Sequence, residues 1–213
     1  SLLLMQKLAE LLMKQKNERG ALNFDIPEGH VDFDQTTQLP KNIHSRERLF
    51  SHELIEVFML QANECVALFL HDNKTPTLYR IHEPPKAERL QPVIEGAQRL
   101  FLDITIPPHQ NVKNLTKFLE SITDIHIRKI IHFMFLTSLE QARYHPENCG
   151  HFGLALEWYL HFTSPIRRYP DLLVHRQVKQ LLHSKKKHAG KNILPHHLKQ
   201  KKPLYDLEQL GKI

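Results

Sequence analysis

Residues 52–70 read HELIEVFMLQANECVALFL, and any fold of this chain has to be arranged around them. The spacing predicts a helix from Ser45 to about His71, with Ile55, Phe58, Met59, Ala62, Val66, Phe69 and Leu70 as its buried stripe. Glu56 and Asn63 interrupt the stripe seven residues apart, so they share a face. A carboxylate beside Met59 and Leu60 is costly to bury without a cation, a metal or hydrogen-bond donors. Pairing with an arginine, capping a neighbouring backbone, and a functional acid are all consistent with that spacing.

The other segments assemble around this helix as an α+β fold, with mixed helices packed on a β-sheet. Leu4, Leu8, Leu11 and Leu12 lie on one face of a helix over 2–19 that Gly20 stops. ALNFDIPEGHVDFD (21–34) alternates at Leu22, Phe24 and Ile26, turns, and alternates again at Val31 and Phe33, predicting a hairpin or two short strands. PTLYRIHEPP (76–85) is a short strand closed by prolines, and Lys86 to about Leu102 a helix. NLTKFLESI (114–122) and DIHIRKIIHFMFLTSLEQARY (124–144) form a helical pair, the second with apolar Ile127, Ile130, Ile131 and Met134. FGLALEWYLHF (152–162) reads as a strand. After a proline turn, Pro170 opens a helix to about His183.

A net charge of +6 favours an anionic partner, nucleic acid first. Cys65 and Cys149 are far apart and outside any C-x-x-C pattern, which argues against a disulfide scaffold or a cysteine zinc site and fits a reducing, cytoplasmic setting. SLLLMQKLAELLMKQK resembles no signal peptide, and Lys7 and Glu10 interrupt it short of the roughly 20 residues a membrane span needs; no membrane contact is expected, and no protein partner is predictable. The tail from His183 to Lys202 has seven lysines, four histidines and no acid, reading as a solvated loop or an RNA-backbone contact. His196 and His197 diverge as neighbours and suggest only a weak metal site. The chain starts and ends inside helical patterns, as a fragment would.

Two groups carry candidate chemistry. Asp25, Glu28, Asp32 and Asp34 resemble the clustered carboxylates that hold two metals in nucleases. Asp32 and Asp34 also alternate with Phe33, as on an ordinary half-buried strand. The second group is HFTSPIRRYPDLLVHR (161–176). Thr163, Ser164 and Pro165 make a rigid turn. Arg167 and Arg168 are adjacent, so one can face a site while the other faces solvent or a carboxylate. A guanidinium binds phosphate bidentately without losing charge and can offset charge developing in a transition state. Asp171 complements the helix dipole.

GHFGLALEWYLHFTSPIRRYPDLLVHR (150–176) resembles the signature of the RNase II/RNB family of exoribonucleases. The helix at 52–70, the Arg-x-His strand at 76–85 and YHPENCGHFGLAL (144–156) resemble family segments in the same order. The resemblance implies a partial RNB catalytic domain over 1–213. It also implies an enzyme that removes nucleotides one at a time from an RNA 3′ end by Mg²⁺-assisted hydrolysis, releasing nucleoside 5′-monophosphates. Arg167 matches the arginine at the scissile phosphate, and Glu56 matches a glutamate of the active centre; Val57 stands where many members have a second glutamate. Arg168, Tyr169, His82 and Arg176 are expected to contact single-stranded or structured RNA, and His175 completes the signature.

The family's Mg²⁺ ligands form a D-x5-D-x-D-D run that this chain lacks. Asp25, Asp32 and Asp34 have the wrong first spacing, and Gln35 stands at the last position, so no metal ligand is assigned here. The metal-binding part and the flanking OB-fold domains are expected to lie outside the chain, leaving the fragment inactive alone. A non-catalytic RNB-like RNA-binding module is the alternative.

Overall fold

The computed structural model describes residues 1–24, 29–45, 48–100, 112–189 and 210–211. The fold is α+β as expected, but its strands form two separate two-stranded antiparallel sheets among the described residues. The chain divides into two compact units, Ser1–Val57 with Pro84–Glu140, and Phe58–Glu83 with Gln141–Ile213.

In the first unit, α1 (Leu2–Arg19) ends at Gly20, whose φ of 84° lets its N–H reach the carbonyls of Asn17 and Lys16. A Cβ at Gly20 would lie 2.6 Å from the Lys113 Cα, and the Thr116 hydroxyl donates to the Gly20 carbonyl at 2.8 Å. Glycine is therefore required twice, by conformation and by approach to α4 (Val112–Ser121). The leucine face of α1 is not its buried face: Leu4, Leu8 and Leu11 are exposed, and Ala9 is buried.

The hairpin also differs from expectation. β1 (Gly29–Phe33) pairs with β2 (Pro40–Ser45), downstream, rather than with the 22–24 run; Ile26 lies outside the described residues. Its turn is set by Asp34, whose carboxylate accepts from the Thr36 and Thr37 amides, both at 2.9 Å, while Gln38 takes a φ of 57°. The unit also holds α3 (Ala87–Arg99) and α5 (Ile125–Ser138), which Asp124 caps by accepting from the His126 and Ile127 amides. The buried face of α5 is Ile131, His132, Phe135 and Ser138, while Ile130 is exposed.

In the second unit, α2 (Phe50–Asp72, whose first turns belong to the other unit) packs Ala67 and Leu70 with Tyr79, Ile81, Leu160 and Val174. By length and composition alone α2 is apolar enough to cross a membrane, yet its buried Asn63 is satisfied by protein partners. β3 (Tyr79–Ile81) pairs with β4 (Arg143–His145). The 152–162 segment is not a strand. It begins as a 3₁₀ turn at Phe152–Leu154, passes Ala155 at a φ of 51°, and continues without a ladder. α6 runs from Tyr169 to Ala189, so the start of the basic tail continues the helix; His196 and His197 lie outside the described residues.

Gln177 of α6 joins this unit internally. Its Oε1 accepts from the Thr77 hydroxyl at 2.8 Å, and its Nε2 donates to the Pro76 carbonyl at 2.7 Å. Gln177 is 2% exposed and Thr77 0%, so neither lost bond is readily replaced by water. Gln177→Ala should therefore lower stability by about 2–3 kcal/mol, read from urea unfolding. A change below ~0.5 kcal/mol would mean that these bonds do not hold α6 in place.

Candidate functional site

The arginine turn is built by side chains that reach it from elsewhere in its unit. Asn63 on α2 is 3% exposed; its Oδ1 accepts from the Phe162 amide at 2.9 Å, and its Nδ2 donates to the Tyr159 hydroxyl at 3.1 Å. The polar break seen in the apolar stripe is thus the anchor of the signature segment. His175 holds the same residue from the other side, donating Nε2–H to the Phe162 carbonyl at 2.9 Å while its ring stacks on Phe162 at 4.0 Å.

Beyond Phe162 the backbone turns sharply, with the Ser164 carbonyl accepting from the Arg167 and Arg168 amides at 3.3 and 3.1 Å. Asp171, fully buried in the first turn of α6, accepts from the Ser164 amide and from Arg168 Nη2, both at 2.8 Å. The adjacent arginines therefore part: Arg168 points inward onto the carboxylate, and Arg167 is exposed. Among the described residues, no side chain is hydrogen-bonded or ion-paired to the Arg167 guanidinium. Ile166 is fully exposed and Tyr169 is 54% exposed, so an open ring flanks the open cation.

Behind the turn lies a ladder of rings. Tyr144 and His161 touch through hydroxyl and Nδ1 at 2.7 Å, and Arg80 sits 4.8 Å from the centre of the Tyr144 ring. His161, Tyr159, His151 and His82 continue it with centroids 5.0–5.8 Å apart. Burial, reinforced by the Arg168 and Arg80 charges, pushes His161 down to about 4. Burial, with His82 and Arg80 nearby, pushes His151 down to about 3. Both imidazoles are neutral at pH 7.

His82 itself is 7% exposed and its Nδ1 accepts from the Gly153 amide at 3.0 Å. Its place is inside the fold, fixing the 3₁₀ turn. Arg176 is at the surface, beside a groove of about 550 Å³ lined by Phe162, Leu172, Val178, Lys179 and Leu182. Glu56 belongs to the first unit, where Lys16 Nζ meets one carboxylate oxygen at 2.9 Å and Arg48 the other at 2.5 Å. Of the two bland possibilities left open by sequence, ion pairing is the one realised; Val57 beside it is buried.

The described members of the carboxylate cluster, Asp32 and Asp34, do not fit a metal. Asp34 is committed to its turn, which holds its carboxyl below the usual range. Asp32 lies between His30 and His44 at 3.7 and 3.3 Å on the hairpin face. Asp25 and Glu28 lie outside the described residues. Among the described residues no group of three or more His, Cys, Asp or Glu side chains is placed to hold a metal ion.

Sequence reasoning marked Arg167 and the turn but missed the positions that shape them. Asn63 was visible as a stripe-breaker, whereas nothing in the local pattern linked Asp171 to Ser164 or His82 to Gly153.

Comparison with known proteins places this geometry in context. Residues 1–184 match the RNB domain. The chain is 41% identical over 179 residues to ribonuclease R of Aquifex aeolicus, covering 84% of this chain and 25% of that protein. It is 38% identical to ribonuclease R of Escherichia coli over 186 residues, covering 87% and 23%. The chain thus spans about a quarter of the length of the curated relatives it matches. Among solved structures, RNase R of Mycoplasma genitalium in complex with ribose-methylated single-stranded RNA superposes with a TM-score of 0.81 at 29% identity, covering 88% of this chain and 29% of that one. The yeast pseudonuclease Ssd1 superposes with a TM-score of 0.60 at 25% identity, covering 78% and 19%.

The neutral histidines give the second unit an acid limit. In the unfolded chain both would titrate near 6.5. Below that pH the unfolded state binds protons that the folded state refuses, so stability conferred above about 6.5 is lost as pH falls toward 4. The urea midpoint should drop between pH 7 and pH 5, and His161→Gln should shallow the drop. A midpoint independent of pH over that window would show that these rings accept protons while folded.

Proposed function

This chain belongs to the RNB domain family, and from that premise we propose that it supplies the phosphate-contacting arginine of a 3′→5′ exoribonuclease similar to ribonuclease R. The observation that carries the reading is the exposed Arg167 on a turn whose neighbouring arginine is already neutralised. A guanidinium there meets a phosphodiester with two parallel N–H donors and keeps its charge as the scissile phosphate gains negative charge. Tyr169 offers its exposed ring to a base, and Arg176 extends the cationic surface along α6. Arg168 acts from within the turn.

A divalent metal, Mg²⁺ on this reading, would activate water for the hydrolysis. Asp32 and Asp34 do not fit it, and its ligands, with the flanking RNA-binding domains, are assigned to sequence outside this chain. Glu56 is retained as the family's active-centre carboxylate, held ready by Lys16 and Arg48. The two exposed, unpaired thiols of Cys65 and Cys149 agree with a reducing compartment. The second reading, an RNA-binding module without catalysis, is favoured by the likeness to Ssd1.

The test is binding and cleavage of a 5′-labelled single-stranded RNA by the 213-residue chain with Mg²⁺. Wild-type chain should bind and leave the RNA intact. Arg167→Ala should raise Kd roughly tenfold and reduce the slope of log K against log salt by about 0.7, one phosphate contact. Unchanged affinity and slope would remove Arg167 from the interface. A ladder shortening from the 3′ end would place a working metal site within this chain.

A further inference from the structure

Arg167 is effective only if it points outward, and nothing in its own side chain ensures that. The direction is set by a residue that cannot touch RNA. We propose that Asp171 is a positioning residue for Arg167: by clasping the Ser164 amide and the Arg168 guanidinium with one carboxylate oxygen, it locks the turn so that the second arginine is withdrawn and the first is presented. This rests on the reading of Arg167 as the phosphate contact.

Three observations carry it beyond an ordinary helix cap. An acid at the third helical position usually reaches back to the amide that opens its own helix. Here that amide, of Arg168, is taken by the Ser164 carbonyl, and the carboxylate reaches seven residues back to Ser164 instead. Asp171 is fully buried while the Arg168 side chain is only 20% exposed, so the pair lies beneath the surface that carries Arg167. The second oxygen of the carboxylate is buried and makes no hydrogen bond among the described residues. Arg168 is therefore the side chain that balances its charge, and a buried ion pair of this kind gives definition of geometry more dependably than stability.

The experiment is a double-mutant cycle on the intact chain, with RNA affinity, its salt slope and far-ultraviolet circular dichroism measured together. Asp171→Asn keeps shape and an acceptor for the Ser164 amide but removes the charge that holds Arg168. Alone it should weaken binding on the order of tenfold, like Arg167→Ala, and lower the salt slope similarly. In the Arg167→Ala background it should change Kd less than about twofold, because its effect passes through the missing side chain. Multiplicative losses, or a folded Asp171→Asn protein that binds like wild type, would overturn the proposal. Should Asp171→Asn fail to fold, Arg168→Lys decides in the same two backgrounds, since lysine keeps the charge but not the planar fork. An effect confined to chains that contain Arg167 supports the lock; an equal effect in both backgrounds sinks it. If Arg167→Ala itself leaves binding unchanged, the phosphate reading fails and takes this proposal with it. If Arg167→Ala weakens binding while folded Asp171→Asn does not, only the lock fails.

Discussion

The side chain of Asn63 is the constraint on which the second unit depends. It sits in the middle of an apolar helix face, where an amide is expensive unless its donors and acceptor are matched. Tyr159 and the Phe162 amide provide that match. Because both partners lie in the segment that leads into the arginine turn, satisfying Asn63 and placing the turn are one event. His175 closes the arrangement from α6, so Phe162 is held through its amide, its carbonyl and its ring.

From this anchor the site is laid out by hydrogen bonds rather than by regular secondary structure. The chain between Gly150 and Arg168 contains one short 3₁₀ turn and isolated bridges, and its amides find partners one at a time. His82 takes Gly153, Asn63 takes Phe162, and Asp171 takes Ser164. A backbone fixed in this way can hold a sharp turn that neither a helix nor a strand would allow.

That construction explains what was legible in the sequence. Gly20, the strand at 79–81 and the helix after the arginines follow local rules of periodicity and capping, and the structure has them; α2 starts at Phe50 rather than Ser45, which ends β2, and Ile55 of its expected buried stripe is exposed. The apolar run at 152–162 satisfies the same rules for a strand and is not one: the Gly153 and Phe162 amides are claimed by side chains some 70 to 100 residues earlier, and those of Leu154, Ala155 and Leu156 by local carbonyls. The hairpin was misplaced because alternation at Leu22 and Phe24 looked like a strand. The stronger signal was Asp34 followed by Thr36 and Thr37, an acid whose carboxylate folds back on the next amides. The leucine face of α1 is not its buried face, since leucine occurs almost all round the helix and leaves periodicity without contrast. At the candidate site, Arg167 and the turn were readable, and the sorting of Arg167 from Arg168 was not.

The pairing of charges has a consequence for how this molecule looks to a polyanion. The formal excess of six positive charges counts every arginine and lysine equally. Arg168 is cancelled by Asp171, Arg143 faces Glu83, and Lys16 and Arg48 share Glu56. Counterions condensed on a nucleic acid are displaced only by cations that have no internal partner. Two arginines side by side in the sequence thus present a single unit of charge, at one place and facing one way. The excess of six already subtracts these acids and is unchanged by the pairing; what the pairing decides is which of the two arginines at this turn is open to a phosphate.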